Sequence, residues 1–351
     1  MVKRTSIESS IFSPAMERID KLLKKLSEAD AVTGTEARIH EIIRGELSGF
    51  ADRIDSDPFG DIIAHKPGRE KGSALLCAHL DEVGLMVREV EGGYIRVVAT
   101  GIDVRILPGQ VVKILVEPPI HGVIGIKPPH LTTKEERDKV IPIKDLFIDT
   151  GLSEEELKRR VKVGDSVCFH APYQKLQGEL RTGKAFDDRA GVVSALEVFR
   201  QVDPYYDLYL ILSAQEEFSG LGATIASYRI NPDLALVIDV THAPHPDQPE
   251  YRAFPLNKGP VIGVGPTLNR DLYERLKAIA KELEIPYQIE PLPRNTGTDA
   301  DSIAFNREGI PTALLSIPLN YMHSPVEVVS LRDIDRTVRL LISFFSHRPW
   351  K

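Results

Sequence analysis

Apolar residues recur at helical spacing at Ile19, Leu22, Leu23 and Leu26, predicting a helix that follows a loose leader over residues 1 to about 14. Thr33 with Glu36 has the form of a capping box and predicts a second helix carrying Ile39, Ile43 and Leu47. Short apolar runs at 61–64 and 74–80 read as strands. After about residue 86 the texture changes. Residues 87–90 and 94–98 flank Gly92-Gly93, a hairpin signal, and 111–116 and 122–126 read as further strands separated by prolines. A charged stretch at 132–139 reads as an exposed loop, Ser153 with Glu156 caps a short helix, and 161–169 reads as strand. This block reads as a small all-β module inserted into another domain.

From about residue 183 strands and helices alternate. Residues 190–202 predict a helix with Val192, Leu196 and Phe199 on one face. Strands are predicted at 207–213, 234–240, 261–265, 287–292 and 312–317, with helices near 219–228, 269–284, 299–308 and 331–346. Such alternation predicts an α/β fold, a mixed central sheet with helices on both faces. The expected division is one domain from 1–86 and 179–351, with the β module at 87–178. No internal repeat or low-complexity tract interrupts this pattern.

The chain has 351 residues, which favours a large domain plus a smaller one. It is 42% hydrophobic and 27% charged, with net charge -7 and a pI near 5.9. That balance gives no global attraction for nucleic acid or an anionic membrane surface. No run reaches the ~20 apolar residues needed to span a bilayer, and the start of the chain lacks the apolar segment of a signal peptide. Cys77 and Cys168 form no C-x-x-C pair and read as reduced thiols packed in strands, so the expected compartment is the cytoplasm.

Five short segments place ionisable residues at or just beyond predicted strand ends, where open α/β sheets bind ligands. In Ala78-His79-Leu80-Asp81-Glu82, His79 and Asp81 share a strand face, and Asp81 suits the carboxylate that orients a metal-ligating histidine. The bland alternative is a polar strand end meeting water. In Phe186-Asp187-Asp188-Arg189-Ala190-Gly191 the carboxylates either favour a helix dipole, a good account of Asp188, or bridge cations, as Asp187 could. In Gln215-Glu216-Glu217 one glutamate can bind metal while the other acts as general base; an acid-rich helix start is the alternative. Asp239 interrupts an apolar strand and must be paired, hydrogen-bonded or metal-bound. His242 and His245 read as pocket or surface residues, and His323 follows the strand at 312–317. Two histidines and three carboxylates together suit zinc, cobalt or manganese rather than calcium or a thiolate site.

The ordered set A-H-L-D-E-V-G, F-D-D-R-A-G, Q-E-E-F-S-G-L-G-A, I-D-V-T-H, G-T-D-A and Y-M-H-S-P resembles the tetrahedral (TET) aminopeptidases, the glutamyl aminopeptidase family of co-catalytic metallopeptidases. The likeness spans residues from about 17 to 346, and some members of the family carry an endoglucanase label. It implies a zinc-peptidase-like catalytic domain and two divalent metal ions per subunit, zinc first and cobalt or manganese otherwise. It implies one ion on His79, Asp187 and Asp239, and the other on Asp187, Glu217 and His323, with Asp187 bridging. Glu216 would be general base and acid, Asp81 would orient His79, and the Asp187–Asp188 bond would be cis. The inserted module, barrel- or PDZ-like, would serve dimerisation within a tetrahedral dodecamer. Substrates would be short peptides with a free N-terminus. One departure is Asn320, where relatives often have arginine, and this bears on substrate preference.

Other readings stay open on the residues alone. Two carboxylates also serve glycoside hydrolysis, but sugar cleavage needs no histidines, and the single tryptophan is Trp350. Chelator sensitivity and cleavage of aminoacyl-nitroanilides but not cellulose separate the two. A deacylase or carboxypeptidase of the same clan would tolerate a blocked N-terminus. A non-catalytic assembly protein would cleave no peptide when loaded with metal.

Overall fold

The computed structural model describes residues 12–246 and 253–348, so the first eleven positions of the expected leader lie outside the described residues. The chain opens with α1 (Pro14–Ser27), capped by Ser13 and burying Ile19, Leu22, Leu23 and Leu26 on one face. A 3-10 turn at Glu36–Ile39 leads into α2 (His40–Leu47). Three strands follow: β1 (Arg53–Ser56), β2 (Ile62–Lys66) and β3 (Ser73–His79).

The inserted module holds β4 (Gly84–Glu91), β5 (Tyr94–Thr100), β6 (Val111–Ile114), β7 (Ile120–Gly125), α3 (Lys134–Arg137), β8 (Phe147–Asp149), α4 (Glu154–Arg160) and β9 (Ser166–Phe169). Its strands close in the order β4-β5-β8-β7-β6-β9, every pair antiparallel. Closure leaves no free edge, and inward residues such as Leu85, Val87, Val112, Ile148 and Val167 form a separate apolar core.

The chain then returns through β10 (Gln174–Lys175), β11 (Leu180–Gly183), α5 (Phe186–Gln201), β12 (Asp207–Ser213), α6 (Leu221–Ile230) and β13 (Leu234–His242). It ends with β14 (Val261–Val264), α7 (Arg270–Glu282), β15 (Gln288–Pro291), α8 (Asp299–Ala304), β16 (Thr312–Asn320), β17 (Glu327–Ser330) and α9 (Leu331–Ser346). These strands join β1–β3 in one eleven-stranded mixed sheet, with β12, β3, β13 and β16 parallel at its centre. Alternation along each central strand feeds two cores. Leu76, Leu236 and Ile238 pack with α1, α5 and α9, whereas Leu75, Cys77 and Val237 pack with α6 and α8. Helices cover both faces, as the alternating pattern predicts. Among the described residues no helix is long and apolar enough to cross a membrane.

Two expectations are corrected. Thr33 and Glu36 form no capping box: the Thr33 hydroxyl donates to Asp81 (2.7 Å), and Glu36 accepts from the Gly34 and Gln215 amides. Tertiary partners win Thr33, and Glu36 is shared between a local amide and a distant one. The segment at 132–139 is exposed as expected, but it contains α3, held by a capping box of Thr133 and Glu136.

Candidate metal centre

Four parallel strands bring their carboxyl ends to one edge of the sheet, and the ionisable residues gather there. His79 is the last residue of β3. Glu216 and Glu217 lie in the turn after β12, Asp239 is within β13, and His323 follows β16. Asp187 enters from the start of α5, with non-helical backbone angles and a cis bond to Asp188.

Two groups of side chains converge. His79, Asp187 and Asp239 each bring one ligand atom within 4.8 Å of the others, and so do Asp187, Glu217 and His323. Asp187 belongs to both: its Oδ1 lies 3.1 Å from His79 Nε2 and its Oδ2 3.2 Å from His323 Nε2. Glu217 Oε2 is 3.1 Å from the same His323 nitrogen. These are the triads that the family likeness implies. Neither His242 nor His245 joins them; His242 faces the adjoining cavity and His245 is exposed.

Around these groups stands a layer of hydrogen bonds. His79 Nδ1 lies 3.2 Å from the Asp81 carbonyl and 3.5 Å from its carboxylate, so the main chain makes the closer contact. The Asp81 carboxylate itself accepts the Glu216 and Glu217 amides at 3.0 and 3.2 Å, fixing that turn. His323 Nδ1 sits 2.8 Å from the Gly101 carbonyl, which comes from the barrel. Gly101 has φ 74, a conformation open to glycine at little cost. Each imidazole thus turns Nε2 toward the carboxylates. Ala185, Gln215, Tyr321 and His323 all have positive φ, a strained conformation that clusters here.

The pattern of acids and histidines did not reveal Glu327, whose carboxylate accepts the amides of Phe186 (2.6 Å), Asp187 (3.2 Å) and His323 (2.8 Å). It ties two segments that carry candidate ligands together from β17, a strand too short to stand out. Its one signal is an acid between Val326 and Val328, close after His323. Asp299, within the G-T-D-A segment, accepts the Ser213 hydroxyl at 2.5 Å beneath the site. Glu82 forms a buried pair with Lys184 at 2.7 Å. The Asn320 amide donates to the Pro244 carbonyl (2.8 Å).

The electrostatics follow from crowding acids in a dry place. Burial pushes the Glu216 carboxyl up to about 10, against the pull of His79 and with Asp239, Asp299 and Glu217 adding to it. Burial raises Glu217 and Asp239 as well. Burial alone would lower His323, yet its bonds to Asp187 and Glu217 raise it to about 11. Glu217 Oε1 is buried with no hydrogen-bond partner, while Lys184 and Arg189 are the buried cations nearby. A set of imidazole nitrogens and carboxylate oxygens with surplus negative charge fits divalent cations of the zinc, cobalt or manganese type.

Residues 60–340 match the family model described as M42 glutamyl aminopeptidase. The chain is 37% identical over 332 residues to the lysyl aminopeptidase of Pyrococcus furiosus, covering 91% of this chain and 94% of that one. An aminopeptidase structure from the archaeon Desulfurococcus kamchatkensis superposes with TM-score 0.89 at 34% identity, covering 95% of this chain and 96% of that one. The TET1 peptidase of Pyrococcus horikoshii, which can assemble into a tetrahedron or a large octahedral shell, gives TM-score 0.84 at 31% identity, covering 94% and 100%. The chain is an aminopeptidase and belongs to the M42 glutamyl aminopeptidase family.

Proposed function

We propose that the chain removes N-terminal residues from short peptides with the help of two divalent metal ions, zinc first. The observation that carries this reading is the pair of triads sharing Asp187. His79, Asp187 and Asp239 would hold one ion, and Asp187, Glu217 and His323 the other. When bound, the ions would supply Lewis acidity toward the scissile carbonyl and make a water acidic enough to attack near neutral pH.

The protein's own groups do the rest. Glu216 takes the proton of the attacking water and returns it to the leaving amine. With no cation in the site, burial and neighbouring carboxylates keep a proton on Glu216; bound cations would offset that crowding and free the carboxylate to act as base. Asp81 grips the Glu216 and Glu217 amides and keeps base and ligand in register. A cavity of about 220 Å³ lies beside Asp239, Glu217 and His323 and has room for the side chain of a terminal residue. A second cavity, about 320 Å³, runs from Glu217 toward Met86 and Val98 of the barrel and offers room for the leaving chain. The likeness to the assembling TET1 peptidase supports a homo-oligomer; the form we propose is a tetrahedral dodecamer built from dimers, with the barrel as the dimerisation unit.

Glu216→Gln tests the assignment of the base. The variant should retain two metal ions per chain by elemental analysis while turnover falls by roughly 10²–10⁴-fold. Full activity in that variant would refute the role, and activity surviving thorough chelation would refute the metal requirement.

A further inference from the structure

The cavity beside the two triads has an acid that neither the ligand set nor the proton transfer uses. Glu290 stands on β15 and lines the cavity wall together with Val240, Thr241, Leu314 and Met322. Thr241 lies two residues beyond Asp239 on β13, so the two side chains share a strand face. Its hydroxyl donates to Glu290 Oε1 at 3.0 Å and aims the carboxylate. Among the described residues no lysine, arginine or histidine pairs with Glu290. Burial raises its carboxyl against the pull of Thr241, so the anion gains from a cation brought to it.

Apolar walls ending in a carboxylate match one kind of side chain. The stem of lysine or arginine can lie along Leu314 and Met322 while its charged head meets Glu290. An acidic side chain would face repulsion, and an aliphatic one would strip water from Glu290 without replacing it. We propose that Glu290, positioned by Thr241, selects peptides whose N-terminal residue is lysine or arginine. The inference rests on the aminopeptidase reading above, for it assigns this cavity to the first residue of the substrate.

Two measurements on the full-length, zinc-loaded protein test it. Calorimetry compares binding of free lysine with norleucine, which lacks the ε-ammonium. Steady-state kinetics compares lysyl, arginyl, leucyl and glutamyl anilides. Lysine should bind more tightly than norleucine, and Glu290→Gln should erase the difference. The same variant should lose roughly ten- to hundredfold in kcat/KM on the basic substrates. It should gain on the leucyl one, because no carboxylate is then stripped of water, and Glu290→Lys should favour the glutamyl one. Thr241→Val should weaken the basic preference without abolishing it. Equal binding of lysine and norleucine by the wild type would overturn the inference. So would a uniform loss across all four substrates, because Glu290 would then serve the shared α-amine or the fold. If no anilide is cleaved, the aminopeptidase reading fails, and the lysine–norleucine comparison still decides the role of Glu290.

Discussion

His79 and His323 show most directly what the proposed metal site would ask of an ion. Burial disfavours a charged imidazole, but the carboxylates win in both: His323 is raised to about 11, and His79 also rises well above its ordinary value. Both rings are therefore protonated near pH 7 when only carboxylates surround them. A metal ligand must be neutral, so cations must displace those protons. Zinc titrated into chelator-treated protein at pH 7 should release at least about two protons per chain, read as a dependence of the heat on the buffer's ionisation enthalpy. The share from His323 should fade as pH approaches 11. Heats that do not depend on the buffer would mean that the histidines do not face the carboxylates as described. His79, Glu217 and Asp239 were legible in the sequence because they interrupt or closely follow apolar runs that strands require, whereas Asp187 opens a helix and His323 sits in a loop, so they stood out only as members of the set. Glu327 was not, since its work is to accept backbone amides, and an acceptor of amides leaves no pattern of partner residues.

Among the elements, the parallel strands were the easiest to read. Buried on both faces, β3, β12, β13 and β16 are nearly continuous apolar runs, the pattern that a sheet covered by helices on two sides demands. The strands β1, β10, β11 and β17 span two to four residues each and are defined by pairing, which no local pattern encodes. The Thr33 and Glu36 signature misled for a related reason: local capping competes with tertiary partners and lost to Asp81 and Gln215. One such long-range contact ties α1 to β11. Asp20 accepts two hydrogen bonds from the buried Arg181 guanidinium, both 2.9 Å, and another from the Tyr173 hydroxyl. Burial would raise the Asp20 carboxyl, but these bonds outweigh it and hold it at about 2. A carboxyl depressed in the folded state adds stability above its unfolded value near ~3.9, and that stability is lost as pH falls toward 2. Asp20→Asn should cost on the order of 3–5 kcal/mol at pH 7, because Arg181 stays charged and buried. In thermal melts the gap between variant and wild type should narrow as pH drops from 5 toward 2. A gap that stays constant over that range would remove Asp20 as the titrating partner.

In the whole molecule, the barrel and the large sheet meet at the candidate metal centre. Gly101, just past β5, places its carbonyl against His323 Nδ1, so a candidate ligand on the large domain makes its orienting contact with the small one. A half-buried ion pair holds the two units together nearby: Lys113 on β6 reaches Asp30, beyond α1, with contacts of 2.5 and 2.6 Å. If the barrel's seat sets the angle of the His323 ring, loosening that seat should weaken the metal site while both cores persist. Lys113→Met removes the charge and keeps most of the stem, so the Asp30 anchor is lost, although Lys184 still stands 3.5 Å from Asp30. Zinc affinity, measured against a chromophoric chelator, should fall by roughly tenfold, the lower end for losing the support of a metal-binding histidine. The barrel core is separate and closed, so far-ultraviolet circular dichroism should stay unchanged. Unaltered zinc affinity in the variant would mean that the Gly101 contact follows the histidine rather than steering it. The barrel would then bear on the metal centre only through the wall it lends to the neighbouring cavity.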